Sequence, residues 1–454
     1  MKKLLFTLLV IFTLADLSFG QATWTFVSTL PAPSPAINSI SVVSQNIIWV
    51  CCAASGGAGR VYRTVNGGTT WQLKNTGLPS SANGYGISAL DSLTCWVGND
   101  VMSIWKTTDG GSSWTNQLTV SGSFTDGIKM FNANYGWIYA DPIAVTGQPY
   151  VLRVTTNGGT TWTQNATAPI SSTEYGIINA WDWTDSTHIW FGSANTTPNS
   201  TFAKVYRSTT GFAGTFTATS VTGTGGSQGC YYQAVGFINA TSGLVGSSGS
   251  NLKKTTDGGV TYVSVANPPG YTSFAAMNMC SLKDGSGTIR AALDSGGTAV
   301  IWRTTNLGTS WVKENIPLQM SANTISHMQF LNANLGFAST GSSAGGVGSL
   351  GKYSNPSGII GNNGNSPVSF KLKQNFPNPF NPGTTIEFDL PKADFVTIKV
   401  YNSVGREIAT IVSERMYAGT YQVFFDASSL SSGLYFYKII TDNFTDTKKM
   451  LLVK

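Results

Sequence analysis

The stretch TVNGGTTW at residues 64–71 returns as TTDGGSSW at 107–114, TTNGGTTW at 155–162, TTDGGVTY at 255–262 and TTNLGTSW at 304–311. A sixth version, STTGFAGTF at 208–216, carries one extra residue and has lost the acidic or amide side chain. The closing aromatics fall at 71, 114, 162, 216, 262 and 311, giving spacings of 43, 48, 54, 46 and 49 residues. Self-similarity at about 40–50 residues, with several strands in each unit, is the signature of a β-propeller. The motif has a mechanical basis. Asn66, Asp109, Asn157, Asp257 and Asn306 can each accept hydrogen bonds from N–H groups of their own turn. Gly68, Gly111, Gly159, Gly259 and Gly308 supply backbone angles that other residues avoid. Trp71, Trp114, Trp162, Tyr262 and Trp311 can then pack between neighbouring units. The motif reads as a strand–turn–strand staple, not as a catalytic loop.

Working outward from each copy gives four strands per unit. In the first unit they are 40–44 (innermost), 47–51, 61–64 and 71–74, and inner pairs recur near 87–97, 128–139, 177–191, 234–245, 276–293 and 325–338. That makes seven units. The seventh stops at 352–354 without a Trp-bearing outer strand, while the chain offers an orphan strand, ATWTFV, at 22–27. The expectation is a seven-bladed propeller over residues 21–353, with the N-terminal strand completing the last blade and leaving no open edge.

Composition agrees with an all-β chain. Charged residues are only 11%, against about 25% in an average soluble domain, while glycine numbers 51 in 454 residues. Strong helix formers are scarce. The net charge of +6 is thinly spread, and no Lys/Arg cluster interleaves with aromatics, so nucleic acid is not an expected partner. Lys2 and Lys3 precede an apolar run over 4–14, then Ser18-Phe19-Gly20, which marks residues 1–20 as a signal peptide cleaved before Gln21. That run is far below the roughly 20 residues needed to span a bilayer, and no second long apolar stretch follows, so no transmembrane segment is expected. The five cysteines are odd in number and lack CxxC spacing. Buried free thiols are favoured, with one disulfide left open. With only two histidines, neither beside a cysteine, no metal site and no cofactor is expected.

Residues 354–369 (SNPSGIIGNNGNSPVS) read as a linker. Beyond it, apolar or alternating runs at 388–390, 396–401, 407–411, 421–425 and 434–440 are separated by turn signals at 402–405, 418–419 and 431–433. Short strands at this density fit an immunoglobulin-like β-sandwich over 370–454.

These motifs carry two family resemblances. The repeated turn resembles the Asp-box, or bacterial neuraminidase repeat, of sialidases, sortilin-type receptors, xyloglucanase-type glycosidases and photosystem II assembly-factor propellers. That implies a fold and says almost nothing about activity. The segments NFPNPFNPGTTIEFDLP (375–391), VYNSVGREI (400–408), AGTYQVFFDASSLSSGLYFYKI (418–439) and KKMLLVK (448–454) resemble the type A C-terminal sorting domain of type IX secretion cargo. The resemblance implies delivery to the periplasm by the signal peptide, then translocation by the type IX machinery to the cell surface or beyond.

In such a propeller the ligand face lies opposite the Asp-box turns. By resemblance, sialidase chemistry needs three arginines there. Arg63, Arg207, Arg303 and Arg153 sit next to the boxes, which leaves Arg60 and Arg290 and argues against a sialidase. A glycoside hydrolase needs two carboxylates about 5–9.5 Å apart, and the ligand-face loops offer Asp100, Asp126, Asp141, Glu174 and Asp294. His188 and His327 lie beside inner strands with no nucleophile elbow. A recurrent aromatic at the start of the innermost strand (Tyr85, Tyr175, Tyr231 or Tyr232, and Tyr271) offers a platform for sugars or peptide side chains, against the plainer reading of packing between blades. The sequence thus points to a secreted or surface binding module that recognises a glycan or protein, without assigned catalytic residues. Its candidate ligand residues are Tyr85, Tyr175, Tyr232, Tyr271, Asp126 and Asp141. The competing class is a secreted polysaccharide hydrolase using paired aspartates. A third reading, an assembly factor for a membrane complex, conflicts with a tail that sends the chain outward.

Overall fold

The structure is a computed structural model that describes residues 23–32, 35–53, 59–79, 83–144, 147–223, 229–247, 252–269, 275–295, 298–341, 347–354, 369–392, 394–416, 419–427 and 430–453. The signal peptide expected at 1–20 and most of the expected linker lie outside them. The described residues divide into two compact units, one over Thr23–Ser354 and one in the tail. Among the described residues the chain is all-β apart from one single-turn helix, Leu318–Ser321.

Seven sheets lie in Thr23–Ser354 and two in the tail. From the innermost strand outward, the first sheet is Ile37–Val42, Ile48–Cys52, Arg60–Thr64 and Gln72–Leu73. The second and third repeat this antiparallel meander from Gly84–Ala89 and Thr125–Met130. The fourth starts at Trp181–Trp183, the fifth at Cys230–Phe237 and the sixth at Ala275–Ser281. The fifth carries two extra two-residue strands, Glu174–Tyr175 and Ala194–Asn195, on its inner edge. In the seventh, Ile325–Asn332, Leu335–Thr340 and Ser349–Ser354 are joined by the N-terminal strand Thr23–Thr29, with Trp24 opposite Tyr353 and Thr25 opposite Lys352. Trp24 is held there by its indole N–H donating to Glu314 Oε2 (2.7 Å) and by edge contacts with Phe330 and Tyr353.

The repeated turns close as their chemistry requires. Thr64 Oγ1 accepts from Gly68 N (2.9 Å) and donates to Asn66 Oδ1 (2.9 Å), which also accepts from Thr70 N (2.9 Å). Asp109 Oδ2 accepts from Ser113 Oγ (2.6 Å) and Oδ1 from Ser113 N and Ser112 N, and these bonds, the hydroxyl's first, hold its carboxyl below the usual range. Gly68 has φ of 91°, and a Cβ there would meet Leu350 and Val27 of the seventh sheet. Each closing aromatic reaches the preceding sheet: Trp114 packs edge-on against Trp49 and donates to Lys74 O (2.8 Å), and Trp71 donates to Ser28 Oγ (3.0 Å).

A second device stitches the innermost strands together. Side chains on one strand accept backbone N–H groups of the next: Ser41 from Ala89, Ser88 from Met130, Asp182 from Phe237, Asn278 from Met328, and Gln329 from Val42. The last of these joins the seventh sheet to the first. The five cysteines are free thiols, four of them buried.

In the tail, Lys371–Leu372, Gly383–Leu390 and Gly419–Asp426 form one sheet, and Glu407–Met416, Asp394–Asn402, Gly433–Ile440 and Thr445–Leu452 the other. Strict alternation along Gly383–Leu390 buries Ile386, Phe388 and Leu390 in one core with Val396, Ile398, Val400, Tyr437 and Ile439. No helix among the described residues is long and apolar enough to cross a membrane.

Candidate functional site

The innermost strands begin with a shared irregularity. Register shifts leave Asn38, Tyr85 and Asp126 as extra residues of β-bulges in the first three sheets, and Gln233, Met277 and Ser326 in the last three. A bulge re-aims its side chain, so Asn38, Tyr85, Asp126 and Ser326 depart from the alternation of the strands that follow. Two candidate site residues, Tyr85 and Asp126, are bulge residues.

Asp126 and Asp141 meet. Their carboxyl groups lie within hydrogen-bonding reach of each other, and Asp126 is 1% exposed. Burial, reinforced by the charge of Asp141, pushes Asp126 well above the usual carboxylate range, and burial pushes Asp141 up to about 7. Two acids in contact cannot both ionise cheaply, so the pair shares a proton. Gly176 N donates to Asp141 Oδ1 (2.6 Å), Tyr139 Oη accepts from Ile177 N (3.1 Å), and Asp126 O accepts from Asn179 N (3.0 Å). The pair therefore anchors residues 176–179, which lead into the fourth sheet, onto the third. The far end of this segment reaches the first sheet: Asn179 donates to Asn38 O (2.9 Å), and Ser39 Oγ lies 3.2 Å from Asn179 Oδ1. Residues 176–179 thus form a strap tying the first and third sheets. A side chain at Gly176 would collide with Asp126 and Tyr139, which explains the glycine. Nothing in the repeat marks this strap, because it occurs once.

Glu174, Glu314 and Asp100 are occupied. Glu174 is buried, bonded to Ser172 N and Thr173 N and paired with Lys204 (2.8 Å). Burial opposes its ionisation, yet these partners hold it below the usual range. Glu314, the other glutamate ahead of the tail, is held by Trp24, Arg290 and Arg303. Asp100 accepts from Asn83 N and Nδ2. Asp294 sits opposite Ala275 and Ala299 in the sixth sheet. Arg290, expected near the ligand face, is buried between Phe330 and Tyr353, 4.2 and 4.3 Å from their ring centres, and acts as a core residue.

Of the four candidate tyrosines, the structure removes Tyr232 from any platform. Tyr232 is 0% exposed with its hydroxyl donating to Thr222 O (2.6 Å), so its ring is unavailable to a ligand. Strand alternation turned this member of the Tyr231–Tyr232 pair inward. Tyr85 is half-buried with its ring 4.5 Å from Phe124, between the second and third sheets. Tyr175 is half-buried on the short strand ahead of the strap. Tyr271 lies outside the described residues. Sequence reasoning missed three exposed apolar side chains on loops of this region, Val101, Ile143 and Ile170. Among the described residues no cluster of three or more His, Cys, Asp or Glu could hold a metal.

Comparison with known proteins separates the two units. Residues 374–454 match the secretion system C-terminal sorting domain. No curated protein matches the chain. Among solved structures, a YCF48 bound to D1 peptide is similar at TM-score 0.52 and 13% identity, over 74% of this chain and 98% of that one. YCF48 from Cyanidioschyzon merolae gives 0.51 and 18%, over 73% and 99%. PorZ, described as an essential bacterial surface component of the type IX secretion system of Porphyromonas gingivalis, gives 0.50 and 15%, over 92% of this chain and 60% of PorZ. Identities this low speak to fold alone. The chain carries a β-propeller-like fold followed by a type IX secretion sorting domain, which directs it to the cell surface or out of the cell.

Proposed function

We propose that this protein is a non-enzymatic binding module, displayed at the cell surface or secreted, whose seven-bladed Asp-box propeller recognises a glycan or protein ligand. In this reading the N-terminal strand closes the ring, the signal peptide delivers the chain to the periplasm, and the immunoglobulin-like tail engages the type IX machinery. The observation that carries the binding reading is the state of the carboxylates. Asp126 and Asp141 touch, whereas glycosidic cleavage needs a separation of about 5 Å or more, and both glutamates ahead of the tail are locked in ion pairs. The exposed Val101, Ile143 and Ile170 favour a protein surface over a sugar, since they offer apolar area without hydrogen-bonding groups.

The test is a screen of plant, algal and peptidoglycan-type polysaccharides for both retention and released reducing ends. No release of reducing ends is expected; retention without release points to a glycan ligand, and neither points to a protein one. Turnover that disappears in Asp126→Asn or Asp141→Asn would replace this reading with the hydrolase one.

A further inference from the structure

Of the six arginines ahead of the tail, five have their guanidinium groups engaged. Arg63 donates to Ser92 O and Gln72 Oε1, Arg153 to Trp162 O and Arg207 to Thr217 Oγ1, while Arg290 and Arg303 pair with Glu314. Arg60 is the exception. Its one bond reaches Tyr62 Oη at 3.5 Å, beyond the usual range of about 2.7–3.2 Å. It forms no ion pair among the described residues, and its Nε is buried without a partner.

Arg60 lines a cleft between the first two sheets, and Trp105 lines the same cleft from the second. The indole N–H of Trp105 is also buried and has no acceptor. Both residues are half-buried, so each still borders solvent, whereas these two nitrogens are shielded from it. Asn99 adds a third donor to the lining: its Oδ1 accepts from Val101 N (3.2 Å) and Ser103 N (2.8 Å), which leaves Nδ2 without an acceptor among the described residues. The acid next along the chain, Asp100, is turned to Asn83 N and Nδ2. Arg60 opens its strand, Gly84 opens the next innermost strand and Asn99 closes its own, so the cleft lies at the strand ends opposite the repeated turns. A water could satisfy the indole, but it brings no charge to offset the guanidinium.

We propose that this cleft is a socket for the carboxylate of an acidic side chain on a protein partner, held by the Arg60 guanidinium and the Trp105 indole N–H; the proposal rests on the reading of the propeller as a non-enzymatic binding module. A guanidinium and a carboxylate form charge-assisted bonds about twice as strong as neutral ones. The cleft measures about 20 Å³, and a water-sized group needs about 10–15 Å³, so it admits the end of a side chain and no sugar ring. Its remaining walls include Val61, Leu78, Pro79 and Val97, and the exposed Val101 lies two residues beyond Asn99. That apolar surround suits the residues flanking an acid in a peptide better than the hydroxyls of a sugar.

The probes are two capped tripeptides, acetyl-Val-Asp-Val-amide and acetyl-Val-Asn-Val-amide, and a trimer of galacturonic acid, each titrated by calorimetry into the full chain. Saturable binding of the aspartate peptide is expected, with the asparagine peptide weaker by about ten-fold or more. Arg60→Gln should weaken the aspartate peptide by about ten-fold or more, and Trp105→Phe, which keeps a ring and removes the N–H, by about three-fold or more. Among the indole N–H signals of the 13 tryptophans, one should move in NMR spectra as the aspartate peptide is added and be missing from Trp105→Phe. No saturable heat at about 10 mM aspartate peptide, equal affinity for the two peptides, or unchanged affinity in folded Arg60→Gln and Trp105→Phe overturns the proposal. A galacturonate trimer that binds more tightly than the aspartate peptide and requires Arg60 overturns the protein partner in favour of an acidic glycan. Failure here is separate from failure of the non-enzymatic reading, which turns on released reducing ends.

Discussion

Replacing Asp141 by Asn tests the carboxyl pair. In the wild-type protein burial pushes Asp141 from 3.8 up to about 7, and burial pushes Asp126 well above the usual carboxylate range too. An acid whose folded value is raised favours folding below the unfolded value and loses that advantage as pH climbs toward the folded one. The rise of Asp141 alone corresponds to roughly 4 kcal/mol at about 1.4 kcal/mol per pH unit. Partial solvent contact reduces this to about 2–4 kcal/mol. In Asp141→Asn the side chain no longer ionises while its amide oxygen keeps the bond from Gly176 N, so the cost of holding this acid protonated disappears. The variant should therefore gain on the wild type as pH rises from 5 to 8, ending about 2–4 kcal/mol more stable, or some 4–10 °C in Tm. The difference between the two proteins is the informative quantity. His327, lowered to about 4, favours folding increasingly as pH rises from 4 to 6.5 and so opposes the pair within either protein alone. Thermal unfolding by circular dichroism at half-unit pH steps measures that difference. A gap that stays constant from pH 5 to 8 would refute the shared proton.

Three further outcomes are expected. Trp24→Ala removes a buried indole and its bond to Glu314, and should cost about 3–5 kcal/mol in urea unfolding. Asp182→Ala strands Phe237 N, Ser281 and Lys283 and should cost about 2–4 kcal/mol, part of it recovered by Asp182→Asn. A chain lacking residues 370–454 should accumulate in the periplasm of a type IX-competent host, as read by fractionation and immunoblot, whereas normal surface delivery of that truncation would remove the sorting assignment.

What the sequence made legible was whatever repeats. The turn motif has one mechanical job at every copy, so five copies fix the position of five outer turns, and the N-terminal strand could be paired with 352–354 because the last unit lacked its outer strand. What repeats least was least legible. The strap departs from its neighbours only at Gly176 and Asn179, and a single glycine after a tyrosine carries no signal of a segment that ties the third sheet to the first. Tyr232 was misplaced for another reason. At the Tyr231–Tyr232 pair a one-residue choice decides which ring faces the core, and the bulge that follows Tyr232 hides the phase.

The inner-strand residues show a third case, in which the signal was present but lay outside the motif. Counting back eight residues from Trp49, Trp96, Trp137 and Trp190 gives Ser41, Ser88, Lys129 and Asp182. In a ring of equivalent strands, a position that accepts an N–H from its neighbour tolerates serine, aspartate or glutamine with little change in geometry. Lysine at that position breaks the stitch and places a charge where each neighbouring sheet offers an acceptor. Its Nζ lies 5.7 Å from the centre of the Trp183 ring on the fourth sheet. The fourth sheet compensates locally, with Trp183 N donating to Asp182 Oδ1 (2.8 Å) where its counterparts donate to the preceding strand. Lys129→Ser, copying the residue of the first two sheets, should restore an acceptor at that position and raise the urea unfolding midpoint, and an unchanged or lower midpoint would show that the lysine is held by its own packing.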